Sequence, residues 1–458
     1  MGTRDVGDGV EDPPPVPAAV PEPALIGVGT SLNAGQEDEL ADAELRTLLR
    51  RLTLPIYLPA ALYSSGAAAI VPVLPLVGLR LGLSVPQVAL LVTVTGFVAV
   101  LGSLPVGRLV ARIGERAALG VGGGIAGVSV VACLAAVEAG DGGGGLWAVV
   151  FCAAILLMTF GDLTWDLGRQ TYIADEVPLA FRARAMTLFG GVMRVGRIVG
   201  PLLGAGAIAL FGLASAFVIH LVALAISLVL ITLFVPPAEA RHRAADSAAP
   251  PVPTARGNVL RPLLLVGVAP LILSAARTNR DLLLPLLGYH FGHPESLIAL
   301  IFAGTAVVEL AFIVPAGILM DRFGRAVVLV PCLVIAGLSY LMSPLAASVA
   351  GLWAMALVFA VGNGLGAGIV KTLSADVTPT VNRASWLGVY NSYVGAGSLI
   401  GPGIVSVAAA TTGVVTAGVL TGGLSLFGAA WAAWWVPRLV PRRRPDEPTP
   451  AEEPSSRG

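Results

Sequence analysis

Charged residues are scarce in this chain, and lysine is almost absent from it. Asp, Glu, Lys and Arg together make up 12% of the 458 residues, against about a quarter in an average soluble protein. Lys371 is the single lysine, and Ile369 and Val370 precede it, so the glycine-rich, lysine-bearing loop that binds nucleotide phosphates is missing. These absences exclude an ordinary soluble domain and an ATP-driven pump, and no nucleic-acid partner is expected.

Residues that bind metals or form disulfides are equally few. Cys133, Cys152 and Cys332 each fall inside a long apolar stretch, where cysteine behaves as a small core residue. The four histidines are scattered without the spacing of metal ligands, and no nucleophile and base occur together in the polar loops. The sequence therefore predicts no metal, no cofactor and no enzymatic activity.

Apolar residues are what the chain has in abundance. They make up 56% of the sequence, and the mean hydropathy is +0.85. Stretches of roughly 20 apolar residues are long enough to cross a hydrocarbon core of about 30 Å. We therefore predict an all-α integral membrane protein with twelve transmembrane helices, spans 1 to 12, at residues 53–79, 86–108, 116–137, 147–172, 184–211, 213–235, 259–289, 296–320, 326–346, 351–374, 385–410 and 413–437.

Arginines mark one side of the membrane. They occupy the connections between spans 2 and 3, 4 and 5, 6 and 7, 8 and 9, and 10 and 11, whereas Arg80 stands on the other side. Basic residues favour the cytoplasmic side, so both termini are predicted to be cytoplasmic and the membrane is predicted to be the plasma membrane. The predicted organisation is a disordered N-terminal tail at 1–50, a six-helix half at 51–235, a cytoplasmic linker at 236–258, a second six-helix half at 259–437 and a C-terminal tail at 438–458.

The two halves repeat the same landmarks. The segment G-R-L-V-A-R-I-G-E-R at 107–116 recurs as G-I-L-M-D-R-F-G-R-A at 317–326, each time between two apolar stretches. Pro75 likewise corresponds to Pro285, and further along Asp175 corresponds to Asp376. A duplicated membrane protein with a basic turn at the same place in each half has the pattern of an alternating-access transporter.

The repeated turn resembles the signature of the major facilitator superfamily, G-x-L-x-D-R-x-G-R. The second copy is complete, whereas the first has Ala111 where the family has an acid and Glu115 where it usually has a base. The resemblance implies two pseudo-symmetric six-helix halves around a central cavity, which is the major facilitator fold, and turns that latch the cytoplasmic side shut. The residues of this implied latch are Gly107, Arg108, Arg112, Gly114, Gly317, Asp321, Arg322, Gly324 and Arg325.

Spans 5 and 11 carry glycine and proline at corresponding positions. Exporters of the superfamily have G-x8-G-x3-G-P in span 5; here span 11 matches it fully, and span 5 matches its latter part because Thr187 replaces the first glycine. Glycines four residues apart permit close helix contact, and proline bends a helix. A surface on which helices pack and rock is therefore predicted, with ordinary small-residue packing as the alternative, at Gly196, Gly200, Pro201, Gly388, Gly397, Gly401 and Pro402.

Ionisable residues inside a membrane are costly and are therefore candidates for function. Asp162 and Asp166 share one stripe of span 4, and depth counting places Arg197 of span 5 near Asp162 and Arg194 near Asp166. Two carboxylates one helical turn apart resist joint ionisation, which predicts a proton-coupling site formed by these four residues. A static cluster of ion pairs that holds spans 4 and 5 together is the alternative.

Span 7 carries R-T-N-R-D at 277–281, whereas the first-half counterparts of its charged residues are apolar. Because the two halves share a scaffold, charge that only one half carries indicates substrate handling rather than maintenance of the scaffold. The candidate substrate-binding residues are Arg277, Asn279, Arg280, Asp281, Glu309, Trp165 and Asn391.

The sequence is best interpreted as a secondary active transporter, acting as a monomer, that exports a small organic molecule in exchange for protons. Its predicted partners are the substrate, protons and the lipid bilayer. Within this class the alternative is a proton-coupled uptake symporter for a sugar, an organic acid or an amino acid. Outside the class the alternative is a non-transporting receptor or scaffold. The charged residues at mid-membrane argue against it, because they would destabilise such a protein without serving a function.

Overall fold

A computed structural model describes residues 50–139, 145–177, 179–235, 257–366, 368–378 and 383–440, together with Gly2 and Thr47. The spans belong to one compact unit, Leu48–Gly458. The predictions for the linker, and for nearly all of both tails, concern residues outside the described ones.

Helices form all the regular structure in the described residues, and each predicted span corresponds to a helical segment. Among the described residues, ten helical segments are long and apolar enough to cross a membrane, with spans 10 and 11 each counted once. A bent pair in span 1 makes an eleventh, and span 9 is a shorter apolar α-helix of 16 residues. The all-α membrane fold is confirmed. From span 1 to span 12 the helices are Leu58–Ile70 with Val73–Arg80, Val85–Ile113, Glu115–Ala139, Gly145–Glu176, Leu179–Phe211, Ala214–Phe234, Gly257–His290, Glu295–Phe323, Ala326–Leu341, Val349–Leu365 with Ile369–Val377, Arg383–Gly395 with Gly397–Thr411, and Val414–Leu439.

Three of the predicted spans are interrupted rather than continuous. Span 1 bends by 41° just after Ile70, where Pro72 has no backbone N–H to donate. Span 10 breaks at Gly366, within a run that has glycine at every second position from 362 to 368, and span 11 breaks at Ala396. Glycine destabilises a helix by about 1 kcal/mol relative to alanine, so a glycine-rich run is where a long helix is interrupted most easily.

Glycine shapes the repeated turn in both halves. Gly114 and Gly324 end spans 2 and 8 with φ angles of 82° and 88°, a left-handed conformation that residues with a side chain adopt only with strain. The two turns therefore have the same backbone structure. We call the membrane face that carries them the arginine face, and the face that carries the turns at 81–84 and 291–294 the arginine-poor face.

The helices pack as two equivalent sets. In the N-terminal half span 1 packs on spans 5 and 6, and span 3 packs on spans 4 and 6. In the C-terminal half span 7 packs on spans 11 and 12, and span 9 packs on spans 10 and 12. Between the halves, span 5 packs on span 8 and span 11 on span 2, which are again equivalent pairs. The two pseudo-symmetric six-helix halves are therefore present as predicted.

Two polar contacts join the halves at the arginine-poor face. Arg80 at the end of span 1 pairs with Glu295 at the start of span 8, with a shortest nitrogen–oxygen distance of 2.8 Å. Ser406 of span 11 donates to the carbonyl oxygen of Pro86 in span 2, also at 2.8 Å. Both bonds would have to break if the halves were to separate on this face.

Candidate functional site

A cavity of about 560 Å³ lies between the two halves. Spans 1, 4, 5 and 6 line it from the N-terminal half, and spans 7, 8 and 10 line it from the C-terminal half. Its volume falls in the usual range of small-molecule sites, about 300–1,000 Å³. Eight of the predicted site residues line this cavity. Four are predicted to bind substrate, namely Arg277, Arg280, Asp281 and Glu309, and four are predicted to couple transport to protons, namely Asp162, Asp166, Arg194 and Arg197.

Three other residues predicted to bind substrate are not brought to this cavity. Trp165 is fully buried behind Tyr63. Asn279 is also buried and donates to Thr421 Oγ1 of span 12 at 3.2 Å, while Asn391 is exposed and does not line the cavity. Position in the sequence gives a residue's depth in the membrane, but the rotation of its helix decides which side it faces.

Asp162 faces the cavity and accepts a hydrogen bond from the hydroxyl group of Tyr63 in span 1. Ring packing fixes the orientation of the Tyr63 hydroxyl group. The Tyr63 ring stacks on Trp165 with centroids 4.9 Å apart and meets His220 edge-on at 5.1 Å. The hydrogen bond that the Asp162 carboxylate accepts therefore comes from a neutral group. The titratable and charged groups around it are Tyr63 and His220, Asp166 and Arg169 of its own span, and Arg194 and Arg197 of span 5.

Asp166 has a different environment, because a buried arginine binds it. The Arg169 side chain is 0% exposed, whereas the Asp166 side chain is 42% exposed, and the two form an ion pair one turn apart. The rings of Tyr63, Trp165 and Phe189 surround the guanidinium group at 5.4, 5.7 and 5.4 Å, within the range of cation–π attraction. A fixed positive charge thus stands behind Asp166 and distinguishes it from Asp162.

The two arginines of span 5 are exposed within the cavity. Arg197 lies within electrostatic range of Arg277 and Asp281 in span 7. No hydrogen bond or ion pair joins Arg197 to any described residue. Its charge is therefore directed toward the C-terminal half of the cavity and has no carboxylate in direct contact.

Arg277 is bound to the break in span 10. Its Nε donates to Asn363 Oδ1 and its Nη2 donates to the carbonyl oxygen of Gly366, both at 2.7 Å. A side chain at Gly366 would place its Cβ 2.5 Å from Cys332 Sγ and 3.0 Å from Arg277 Nη2. At the break the Gly366 carbonyl oxygen also accepts a turn hydrogen bond from the Ile369 N–H at 3.3 Å, and the absence of a side chain lets the guanidinium group reach the same oxygen.

Arg280 holds both carboxylates of the C-terminal wall. Its distances are 3.2 Å to Asp281 and 3.5 Å to Glu309. Thr305 of span 8 accepts a further hydrogen bond, and the Phe302 ring lies 4.6 Å from the guanidinium group. Asp281 remains 47% exposed, whereas Arg280 is only 14% exposed. One buried guanidinium group therefore compensates two negative charges.

The glycine positions of spans 5 and 11 form tight seams within each half. A Cβ at Gly200 would stand 2.2 Å from the carbonyl oxygen of Ser65 in span 1, and a Cβ at Gly397 would stand 2.1 Å from that of Leu271 in span 7. Gly196 and Gly401 face the same neighbours in the same way, next to Pro201 and Pro402, whereas Gly388 has open space. The seams therefore join span 5 to span 1 and span 11 to span 7.

The turns of the predicted latch differ between the halves. Arg325 Nε donates to Asp376 Oδ2 at 2.7 Å and so ties the turn before span 9 to the end of span 10. The first-half counterparts are Glu115 and Asp175, two acids that cannot form such a pair. The other latch arginines, Arg108, Arg112 and Arg322, are exposed, and the side chain of Asp321 lies outside the described ones, so its role stays a prediction.

The Arg325–Asp376 pair gives a testable prediction. Arg325→Gln and Asp376→Asn are each expected to lower transport about two- to fivefold, because an ion pair of partly exposed side chains contributes at most about 1 kcal/mol. The double variant should be no worse than either single variant, as a double-mutant cycle of transport rates at equal surface abundance would show. Fully additive losses would mean that the two residues act separately.

Sequence reasoning missed several residues of the site. Gly366, Thr305 and Phe302 hold or surround the arginines of span 7, and Phe189 covers Arg169. The alternating glycines around Gly366 were a signal for the break. Thr305 lies one turn from Glu309 on the same helical stripe, which was a weaker signal.

Comparisons with known proteins agree with this architecture. The sequence model of the Major Facilitator Superfamily matches residues 56–282 and 270–457. No curated protein matches the chain significantly in sequence.

Solved transporter structures share the fold. A POT family transporter in complex with a thioalcohol-conjugated peptide has a TM-score of 0.68 at 12% identity, covering 85% of this chain and 96% of that one. A D-xylose–proton symporter has a TM-score of 0.65 at 15% identity, with coverages of 85% and 98%. A bacterial homologue of the iron transporter ferroportin in an inward-facing state has a TM-score of 0.67 at 16% identity, with coverages of 86% and 99%. At such identities the likeness concerns the fold alone.

Proposed function

The chain belongs to the Major Facilitator Superfamily, and on that premise we propose that it is a plasma-membrane transporter that exports a small organic molecule in exchange for protons. The observation that carries the proposal is the cavity between the halves, which eight Asp, Glu and Arg side chains line. Charges at mid-membrane are energetically costly, so each one marks a candidate functional site. A cavity of this charge and size fits a small polar substrate.

Asp162 is the proposed proton carrier. Its described hydrogen bond comes from the neutral Tyr63 hydroxyl group, whereas Asp166 is paired with the buried charge of Arg169. Asp162 therefore forms no ion pair with a described residue, whereas Asp166 is held in one. The static ion-pair alternative then applies to Asp166 alone, and the proton exchange is assigned to Asp162.

The direction of transport is proposed from the glycine seams. Spans 5 and 11 carry the pattern that resembles the exporters of the superfamily, and its glycines make the close contacts to spans 1 and 7. Thr187 in place of the first glycine of span 5 keeps proton-coupled uptake as a second candidate. The arginines of the connecting turns favour a cytoplasmic location for the arginine face and for both termini.

The two candidates differ in the gradient that releases substrate. Purified protein would be reconstituted into liposomes loaded with a small-molecule extract of cells, and the released compounds would be identified by mass spectrometry. An acid exterior should drive release by proton exchange, whereas an acid interior should drive release by symport; neither result depends on how the protein is oriented in the liposome. Substrate release at the same rate under both gradients, or at an unchanged rate after an uncoupler is added, would contradict proton coupling.

A further inference from the structure

Charge is unevenly distributed around the cavity. Asp162 and Asp166 stand on the span 4 wall, with Arg169 behind Asp166. On the side of spans 7 and 8, Arg280 pairs with both Asp281 and Glu309, and Arg197 of span 5 lies within electrostatic range of Asp281. Arg277 makes its described bonds to neutral acceptors, and Arg197 has no hydrogen bond or ion pair to a described residue. Three guanidinium groups thus face two carboxylates on this side.

The Arg197 side therefore has an excess of positive charge. A guanidinium group in a partly desolvated cavity is stabilised when an anion pairs with it. Arginine also binds carboxylates through two parallel hydrogen bonds, which gives both strength and orientation. The guanidinium group of Arg197, which forms no ion pair with a described residue, thus fits a carboxylate group on the substrate.

The span 4 wall has the opposite requirement. Exchange of substrate for protons requires that binding of one disfavours binding of the other. Competition for the same carboxylate is the most direct way to meet this requirement. Asp162 is the proposed proton carrier, so a competing substrate must present a positive charge to it. A protonated amine satisfies this requirement and can donate to the carboxylate in place of the proton.

We propose that the substrate is an amphoteric small molecule whose protonated amine binds Asp162 and whose carboxylate binds Arg197. This inference rests on the proposed export in exchange for protons, because the competition at Asp162 supplies the argument for the amine. The cavity of about 560 Å³ limits the substrate to one small molecule.

Matched probes test the two charges separately. Three amphoteric compounds with different charge separations are L-phenylalanine, 4-(aminomethyl)benzoate and 6-aminohexanoate. Each has a partner without the carboxylate (phenethylamine, benzylamine, hexylamine) and a partner without the amine (3-phenylpropanoate, benzoate, hexanoate). Equilibrium binding to the purified protein should be at least about tenfold tighter for one amphoteric compound than for both of its partners, the effect expected for one charge-assisted pair.

Two variants then assign the ends of the molecule. Asp162→Asn should reduce the affinity for the amphoteric compound to that of its amine-free partner, and Arg197→Gln should reduce it to that of its carboxylate-free partner. Arg50→Gln is the matched control, because Arg50 is exposed and does not line the cavity. Equal changes in affinity for all three compounds would show a general loss of structure and would overturn the assignment.

The remaining outcomes separate this inference from the function on which it rests. If no amphoteric probe binds while an acid exterior still drives release of cell metabolites, the substrate class is wrong and the proton exchange stands. If an amphoteric probe binds with the expected variant effects but its release ignores the proton gradient, the binding mode stands and the coupling is wrong. An amine or a carboxylate that binds as tightly as its amphoteric parent overturns the proposal.

Discussion

Uphill transport is expected to disappear when Asp162 is replaced by asparagine, while exchange of substrate continues at saturating concentrations. The asparagine amide can still accept the Tyr63 hydrogen bond, so the local structure should persist, but the amide cannot carry a proton. With one proton per substrate, a gradient of one pH unit sustains about a tenfold substrate gradient. In liposomes with the Asp162→Asn variant, the ratio of substrate concentrations on the two sides of the membrane should fall to one, whereas exchange of labelled for unlabelled substrate should remain.

Asp166→Asn is the matched comparison, one helical turn away. This change leaves Arg169, whose side chain is 0% exposed, without its carboxylate partner. An uncompensated buried charge destabilises a protein by about 3–5 kcal/mol, so the variant should show low abundance and a lower melting temperature. Well-folded Asp162→Asn protein that still concentrates substrate against its gradient would move the proton site elsewhere, and Glu309 and Asp281 would be the next carboxylates to test.

A loss of transport by an order of magnitude or more is also expected for Arg277→Lys. Lysine keeps the positive charge but is a point donor, so it cannot make the two bonds that Nε and Nη2 make to Asn363 and Gly366. Charge-assisted hydrogen bonds contribute about 1.5–3 kcal/mol each. We therefore expect a lower melting temperature and slow transport, because the end of the first segment of span 10 loses the group that binds Asn363 and Gly366.

This expectation differs from the role that the sequence alone indicates for Arg277, which is direct binding of substrate. Asn363→Ala removes one of the two acceptors without touching the charge, so it should show part of the Arg277→Lys effect on rate and leave equilibrium affinity unchanged. Arg280→Gln is the contrast, since it releases two carboxylates into the cavity and should change affinity. An Arg277→Lys protein with normal transport and melting temperature would show that span 10 does not depend on the two hydrogen bonds from Arg277.

The sequence predicted the positions of charges better than their partners. Depth counting placed Arg197 near Asp162 and Arg194 near Asp166, and the structure places all four around one cavity. The described bonds of the two carboxylates go instead to Tyr63 and Arg169, because helix rotation and the packing of aromatic rings decide which groups meet. Neither the rotation of a helix nor the packing of its aromatic rings follows from the spacing of residues along that helix.

The interruptions of the helices show the same limit. The Pro72 bend and the glycine-rich run around Gly366 have local causes that the sequence contains. Whether a glycine-rich run bends, breaks or remains helical depends on the partners of the carbonyl oxygens at the break. The Gly366 oxygen accepts one bond from the nearby Ile369 N–H and one from Arg277, which belongs to another span. The fold could be predicted because apolar length and the repeat determine it, whereas the site depends on contacts between distant segments.

The unequal lengths of spans 3 and 9 have a consequence for the surrounding lipid. Span 3 has 25 helical residues and span 9 has 16, which correspond to about 37 and 24 Å of helix. The 3-10 helix Ser343–Ala347 continues span 9 by about 10 Å, so span 9 crosses a hydrocarbon layer of about 30 Å only with this segment included. The lipid beside span 9 therefore contacts a helix whose pitch changes along its length, whereas the lipid beside span 3 contacts one continuous α-helix.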